Sequence, residues 1–171
     1  DLGDIQPALT FIDDDAADRG AEGVLRAVEQ LAGAVLPASA VESLILPARV
    51  RDYAPALLDE LCAAGEVVWR GHGSLAGRDG WVSLYPAELA DLGVRAGAPE
   101  GELQRALYDA LAEGGAYFFA ALAAAAPPAS EQSLAEALWE LVWKGLVTND
   151  TVAPLRARLG AGGTAHRARA A

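Results

Sequence analysis

Between Gly65 and Pro86 the hydrophobic pattern changes from a helical period to that of short strands, and this change limits the chain to few folds. Upstream, Val24, Val28, Leu31 and Val35 recur at helical spacing from near Glu22. They predict an amphipathic helix of about 12 residues. Leu36-Pro37-Ala38 stops it. A second short helix is expected from Ser39, a suitable N-cap, through Val41, Leu44 and Ile45, with Pro47 turning the chain. A third starts around Pro55, which suits a first helical turn, and shows an apolar face of Leu57, Leu58 and Leu61. Gly65 closes it. Residues 66–70 then read as a strand, residues 71–80 as a turn-rich loop, and residues 81–85 as the returning strand, ended by Pro86. Three helices followed by a hairpin is the order of a winged helix.

The order begins again after a Gly/Pro-rich join at residues 93–101. Leu103, Leu107 and Leu111 mark a helix, broken by Gly114-Gly115. Residues 120–126 predict a second, ended by Pro127-Pro128. Ser130 and Ser133 precede a third, with Leu134, Leu138, Leu141 and Val142 on one face and Gly145 as cap. Leu146-Val147-Thr148 is expected to open a strand. No returning strand is expected, because residues 160–171 are Gly, Ala and Arg with few other types. The predicted fold is mostly α with small β-hairpins, as tandem winged-helix modules, the second with an incomplete wing. The expected organisation is an acidic tail at 1–20, module one at 21–92, a linker at 93–101, module two at 102–159 and a flexible tail at 160–171.

Charge narrows the function classes. The chain carries a net charge of −11. Residues 1–20 hold six acids against one base, and residues 87–150 hold ten against three. Residues 151–171 hold four arginines and no acid. Phosphate binding is driven by counterion release onto basic side chains, so the whole chain is expected to bind nucleic acid poorly except through a local patch. The single cysteine, Cys62, excludes an internal disulfide and a Cys-based zinc site. No apolar run approaches the roughly 18 residues of a membrane span, so no membrane partner is expected and a cytoplasmic location is the default. With no Met at position 1 or elsewhere, the chain is expected to be a segment of a longer protein.

Three groups of residues resemble the Lhr family of large bacterial ATP-dependent helicases. They are LPARVRDY at 46–53 with PALLDEL at 55–61; GEVVW at 65–69 with DGWVS at 79–83; and Leu138-Trp139, Leu141-Val142-Trp143 and GLVTNDT at 145–151. The resemblance implies a parent with an ATP motor translocating on DNA, with ATP and Mg as the motor's cofactors. It places these residues beyond that motor, among stacked winged helices. They contain no Gly-x4-Gly-Lys-Ser/Thr loop, so no phosphate cradle, cofactor or ATP hydrolysis is expected here. The implied partners are DNA, the motor and the other winged-helix modules. A homo-oligomer or protein-interaction scaffold is the alternative. The region is also similar in architecture to bacterial DNA glycosylases, whose Gln-x-Gln or Gln-x-Asp pattern is missing: Gln6 precedes Pro7-Ala8, and Gln30 precedes Leu31-Ala32. No catalytic residue is assigned.

Candidate contacts with nucleic acid each have a plainer reading. The third helix of module one has the position of a recognition helix. With its leucines inward, Asp59, Glu60 and Ala63 face out and would repel phosphate, which favours packing or protein contact. Arg49 and Arg51 flank its start and fit either phosphate contact or pairing with Asp52, Asp59 or Glu60. Arg78 and His72 edge the wing. Trp69 and Trp81 on its strands fit base stacking or the space between hairpin and helices. Trp139 and Trp143 share a helix face and read as packing. Lys144, Arg156 and Arg158, with Arg167 and Arg169, fit a phosphate-tracking edge or a solvated tail. No metal site is expected: the Asp13-Asp14-Asp15 run lacks the other calcium-loop ligands, and His72 has no His or Cys neighbour.

Overall fold

The computed structural model describes residues 19–90, 97–113 and 119–160. The acidic run at 13–15, the Gly114-Gly115 break and Arg167 and Arg169 lie outside them. Helix α1 (Gly20–Leu31) buries Val24, Val28 and Leu31 of the predicted stripe, with Ala27 beside them, but it ends before Val35, which is exposed. The chain then forms a two-residue strand, β1 (Leu36–Pro37), where a simple helix stop was expected. Leu36 pairs with Val82 and Pro37 with Trp81. Proline is tolerated because β1 is an edge strand and its missing N–H costs no ladder bond.

Helix α2 comprises Ala38–Ala40, a π-helical turn Val41–Ile45 and a final turn Leu46–Arg49. Pro47 therefore does not end the helix. It sits in the first positions of the last turn, where its missing N–H is tolerated, and the wider π turn precedes it. Nor is Ser39 the cap. The N-cap residue is Pro37, and the cap is supplied from afar: Asp79 Oδ1 accepts the Ser39 N–H at 3.0 Å, and its Oδ2 accepts the Ser39 hydroxyl at 2.5 Å.

Helix α3 (Pro55–Ala63) begins at proline, buries Leu58, Leu61 and Cys62, and ends at Gly65. Gly65 has φ +72°, and the N–H groups of Gly65 and Glu66 return to the carbonyls of Cys62 and Leu61, each at 3.0 Å. This is the reversed helix end that glycine permits. Strands β2 (Val67–Ser74) and β3 (Gly80–Pro86) form the wing, antiparallel and longer than expected, with a register shift between Gly71 and Ser74. The sheet order is β1-β3-β2. Helices α1–α3 and this sheet enclose Leu46, Leu58, Val67, Trp69 and Val82 as a winged helix.

Helices α4 (Gly101–Ala112), α5 (Phe119–Ala125) and α6 (Glu131–Trp143) follow in the predicted order. Leu107, Leu122, Leu134, Ala137 and Leu141 form their own core. Ser130 caps α6 by accepting the Ser133 N–H at 3.1 Å. Beyond Gly145, however, residues 146–148 form no strand, which corrects the opening strand expected there. Thr148 instead donates its hydroxyl to the Trp69 carbonyl at 2.6 Å, and the Asn149 side chain closes a turn onto the Thr151 N–H at 2.9 Å. The chain then forms helix α7 (Ala153–Gly160). Val142, Trp143, Val152 and Leu155 join the core of the winged helix, so residues from 102–159 pack in both cores. Full burial of a leucine such as Leu155 contributes roughly 1.5–3 kcal/mol.

Candidate nucleic-acid interface

The outward face of α3 carries Pro55, Ala56, Glu60 and Ala63, and no base. Asp59, expected beside them, is turned aside into an ion pair. Arg156 of α7 donates from Nε and Nη2 to the two oxygens of Glu42 at 2.9 and 2.8 Å. It also donates from Nη1 and Nη2 to Asp59 at 3.2 and 3.1 Å. One guanidinium thus joins α7 to α2 and α3. Its fork geometry suits this double carboxylate contact. The hydrogen bonds to Glu42, above all, raise the Arg156 pKa further, against the opposing effect of burial. Tyr53 donates its hydroxyl to Glu42 at 2.6 Å. Burial, and then Glu42, push its pKa up. In this arrangement Arg156, expected as a phosphate contact, is paired within the chain to Glu42 and Asp59.

The other predicted cations are distributed over the surface. Lys144 turns inward to Gln104 Oε1 at 2.9 Å and the Ala98 carbonyl at 3.2 Å, with Glu100 at 3.5 Å. Arg158 donates to the Arg78 carbonyl at 3.1 Å, and its guanidinium lies 4.8 Å from the Trp139 ring centroid. Burial, then Arg78, lower its pKa. Arg78 itself is exposed near the wing tip. Arg49 is exposed and reaches Gln30 at 3.2 Å. Arg51 is exposed and bridges to Arg19 through the backbone. The structure brings together Arg78 with Arg158; Arg49 and Arg51 lie at the turn between α2 and α3, and Lys144 at the end of α6.

The wing tryptophans divide. Trp69 is 2% exposed and donates its indole N–H to the Thr151 carbonyl at 3.1 Å, so it is a core residue and cannot stack on a base. Trp81 is half-buried on β3. The wing also carries another helix. A Cβ on Gly71 would fall 2.1 Å from the Val142 carbonyl oxygen, and one on Gly80 would fall 2.4 Å from the Trp143 ring. Both glycines are required by the close approach of α6. Trp143 stands 5.5 Å from Trp139, ring centre to ring centre. The packing role predicted for this pair is what the structure displays.

Sequence reasoning missed Glu42, Asp79, Gly71 and Gly80. A DG pair in a predicted turn was the one available signal for Asp79, and it points to turn chemistry alone. His72 and the fully buried Ser83 are hydrogen-bonded, and burial, then Arg70, hold the His72 pKa below its ordinary value. Cys62 is buried, and burial raises its thiol to about 11, so it is protonated at neutral pH. A cleft of roughly 620 Å³ opens between Trp69, Phe119, Leu138 and Trp139, rimmed by Thr148, Asn149 and Asp150. Thr148 and Asn149 are already engaged within the chain. Among the described residues, no group of three or more His, Cys, Asp or Glu could hold a metal ion, and no helix is long and apolar enough to cross a membrane.

A family model for the winged-helix domain of large helicase-related proteins matches residues 4–87. The chain is 48% identical over 157 residues to the "Lhr helicase/ probable uracil glycosylase" of Mycolicibacterium smegmatis, covering 88% of the chain and 10% of that protein. It is 44% identical over 163 residues to the "Lhr helicase/uracil glycosylase" of Escherichia coli, covering 90% of the chain and 11% of that protein. The chain thus spans about a tenth of the length of these curated relatives.

Proposed function

The chain belongs to the large helicase-related (Lhr) family and carries a winged-helix domain of that family, and from this premise we propose that it is a non-catalytic architectural segment of an ATP-dependent DNA helicase. In this reading ATP and Mg act at a motor elsewhere in the parent chain. The segment holds the winged-helix region in a fixed shape beside DNA, with Arg49, Arg51 and Arg78 among its exposed arginines. The observation that carries the reading is the seating of α6 on the wing through Gly71 and Gly80. A hairpin free to follow a groove needs no such glycines. Here the hairpin is a mount for the next helices.

The acidic, alanine-rich face of α3 favours contact with protein over base reading. The bidentate base readers are Arg, Lys, Asn and Gln, and α3 has none of them. The uracil glycosylase in the relatives' names calls for a positioned carboxylate or amide in a base pocket. We assign that activity outside these residues. The test is binding of the chain to single-stranded and forked DNA across a salt series. The reading expects weak, sequence-independent binding with a shallow slope. Tight binding that discriminates sequence would overturn it, and an abasic product from a uracil-containing strand would overturn the non-catalytic assignment.

A further inference from the structure

Helix α7 is fastened by three contacts. Leu155, with Val152 just ahead of the helix, lies over the apolar floor of the winged helix, beside Leu58, Trp69 and Leu84. Arg156 is held by Glu42 and Asp59. Arg158 is held by the Arg78 carbonyl and the Trp139 ring. The seal is imperfect, since a cavity of roughly 20 Å³ remains between Arg156, Leu155, Leu159 and the floor. The ionic contact is also open to solvent: the Arg156 side chain is 34% exposed and Asp59 43%. Two of the three fastenings therefore depend on guanidinium groups, and a guanidinium binds phosphate with the same fork that it offers a carboxylate. Residues 153–160 contain these two arginines and no acid, so α7 is a cationic helix on an acidic body.

We propose that α7 is a releasable strap: a phosphodiester backbone competes with Glu42 and Asp59 for Arg156, takes Arg158 with it, and draws α7 away from the winged helix. Docked, the two arginines hold the segment in one shape. Released, they become its phosphate-contacting edge and uncover the apolar floor beneath Leu155. This rests on the reading that the segment works beside DNA, and it adds how that contact is gated.

The test is amide hydrogen exchange of residues 153–160 in the whole chain at low salt, with and without a 30-nucleotide oligo-dT, with binding followed in parallel by anisotropy. Oligo-dT is expected to speed exchange in 153–160 at least about tenfold while α1 and β3 stay protected. The double substitution E42Q/D59N is expected to raise exchange there without any nucleic acid. Binding of oligo-dT with 153–160 still protected overturns the strap and leaves the DNA reading standing. No binding at low salt overturns both. Unchanged protection in E42Q/D59N, with α1 protected as a folding control, shows that the carboxylates do not fasten α7 and also overturns the strap.

Discussion

Arg156 Nη2 lies 2.8 Å from Glu42 Oε1, across 114 positions of sequence, and through this pair the last described helix is fixed to the second helix of the winged helix. Asp59 on α3 shares the same guanidinium. The Asp59 contact makes α3, the helix that a base-reading domain would keep clear, one side of an internal joint. Arg156→Ala leaves two carboxylates half-buried without a cation. The loss is expected to be about 1–2 kcal/mol, the range for hydrogen bonds to charged groups reduced for partial exposure. Urea unfolding of the variant measures it. Glu42→Gln, which keeps the shape and one acceptor, is expected to cost less.

Gly80 and Trp143 test the mounting of α6. Gly80→Ala pushes a methyl into the Trp143 ring, and overpacking of this kind costs about 1–3 kcal/mol. Gly71→Ala meets a backbone carbonyl, which cannot turn away as a side chain can, so it is expected to cost more. Thermal unfolding of the two variants checks the order Gly71→Ala below Gly80→Ala below the unsubstituted chain.

Asp79 caps α2 from the wing. Asp79→Ala is expected to cost about 1 kcal/mol, the usual worth of an N-cap. Hydrogen exchange separates this from general loosening, because the Ser39 amide should gain exchange well before the amides of α1.

His72 predicts a pH dependence. Its pKa is lowered in the folded chain by burial, then by Arg70, so the unfolded chain takes up the proton first as pH falls. Stability from this group is fully present above the unfolded value of about 6.5 and is lost as pH falls from there through the lowered folded value. Unfolding free energies between pH 7.5 and pH 5 should decline on this account. His72→Gln should flatten the part of the decline that His72 causes, and an unchanged slope would remove that cause.

The helical faces of α1, α3 and α6 were readable because their apolar residues repeat within a few positions, and Gly65 and Gly145 marked two helix ends by local chemistry. Strand β1 was not readable, since two residues carry no period. The Asp79 cap spans 40 positions and the Arg156 to Asp59 contact 97, and neither leaves a local trace. The same holds for Gly71 and Gly80, which look like turn glycines until α6 is seen against them. Of the candidate contacts, the acidic face of α3 was half legible. Glu60 faces out as expected, while Asp59 is claimed by an arginine that sequence order places far away.

On the proposed reading α3 supports architecture and does not enter a DNA groove. DNA affinity of the chain after placing acids on that face, as Ala56→Glu and Ala63→Glu, tests this. Binding of both variants to duplex and single-stranded DNA within about twofold of the parent, at one fixed low salt concentration, is the predicted result. A loss of tenfold or more, about 1.4 kcal/mol, in correctly folded variants would place α3 against nucleic acid and contradict the account.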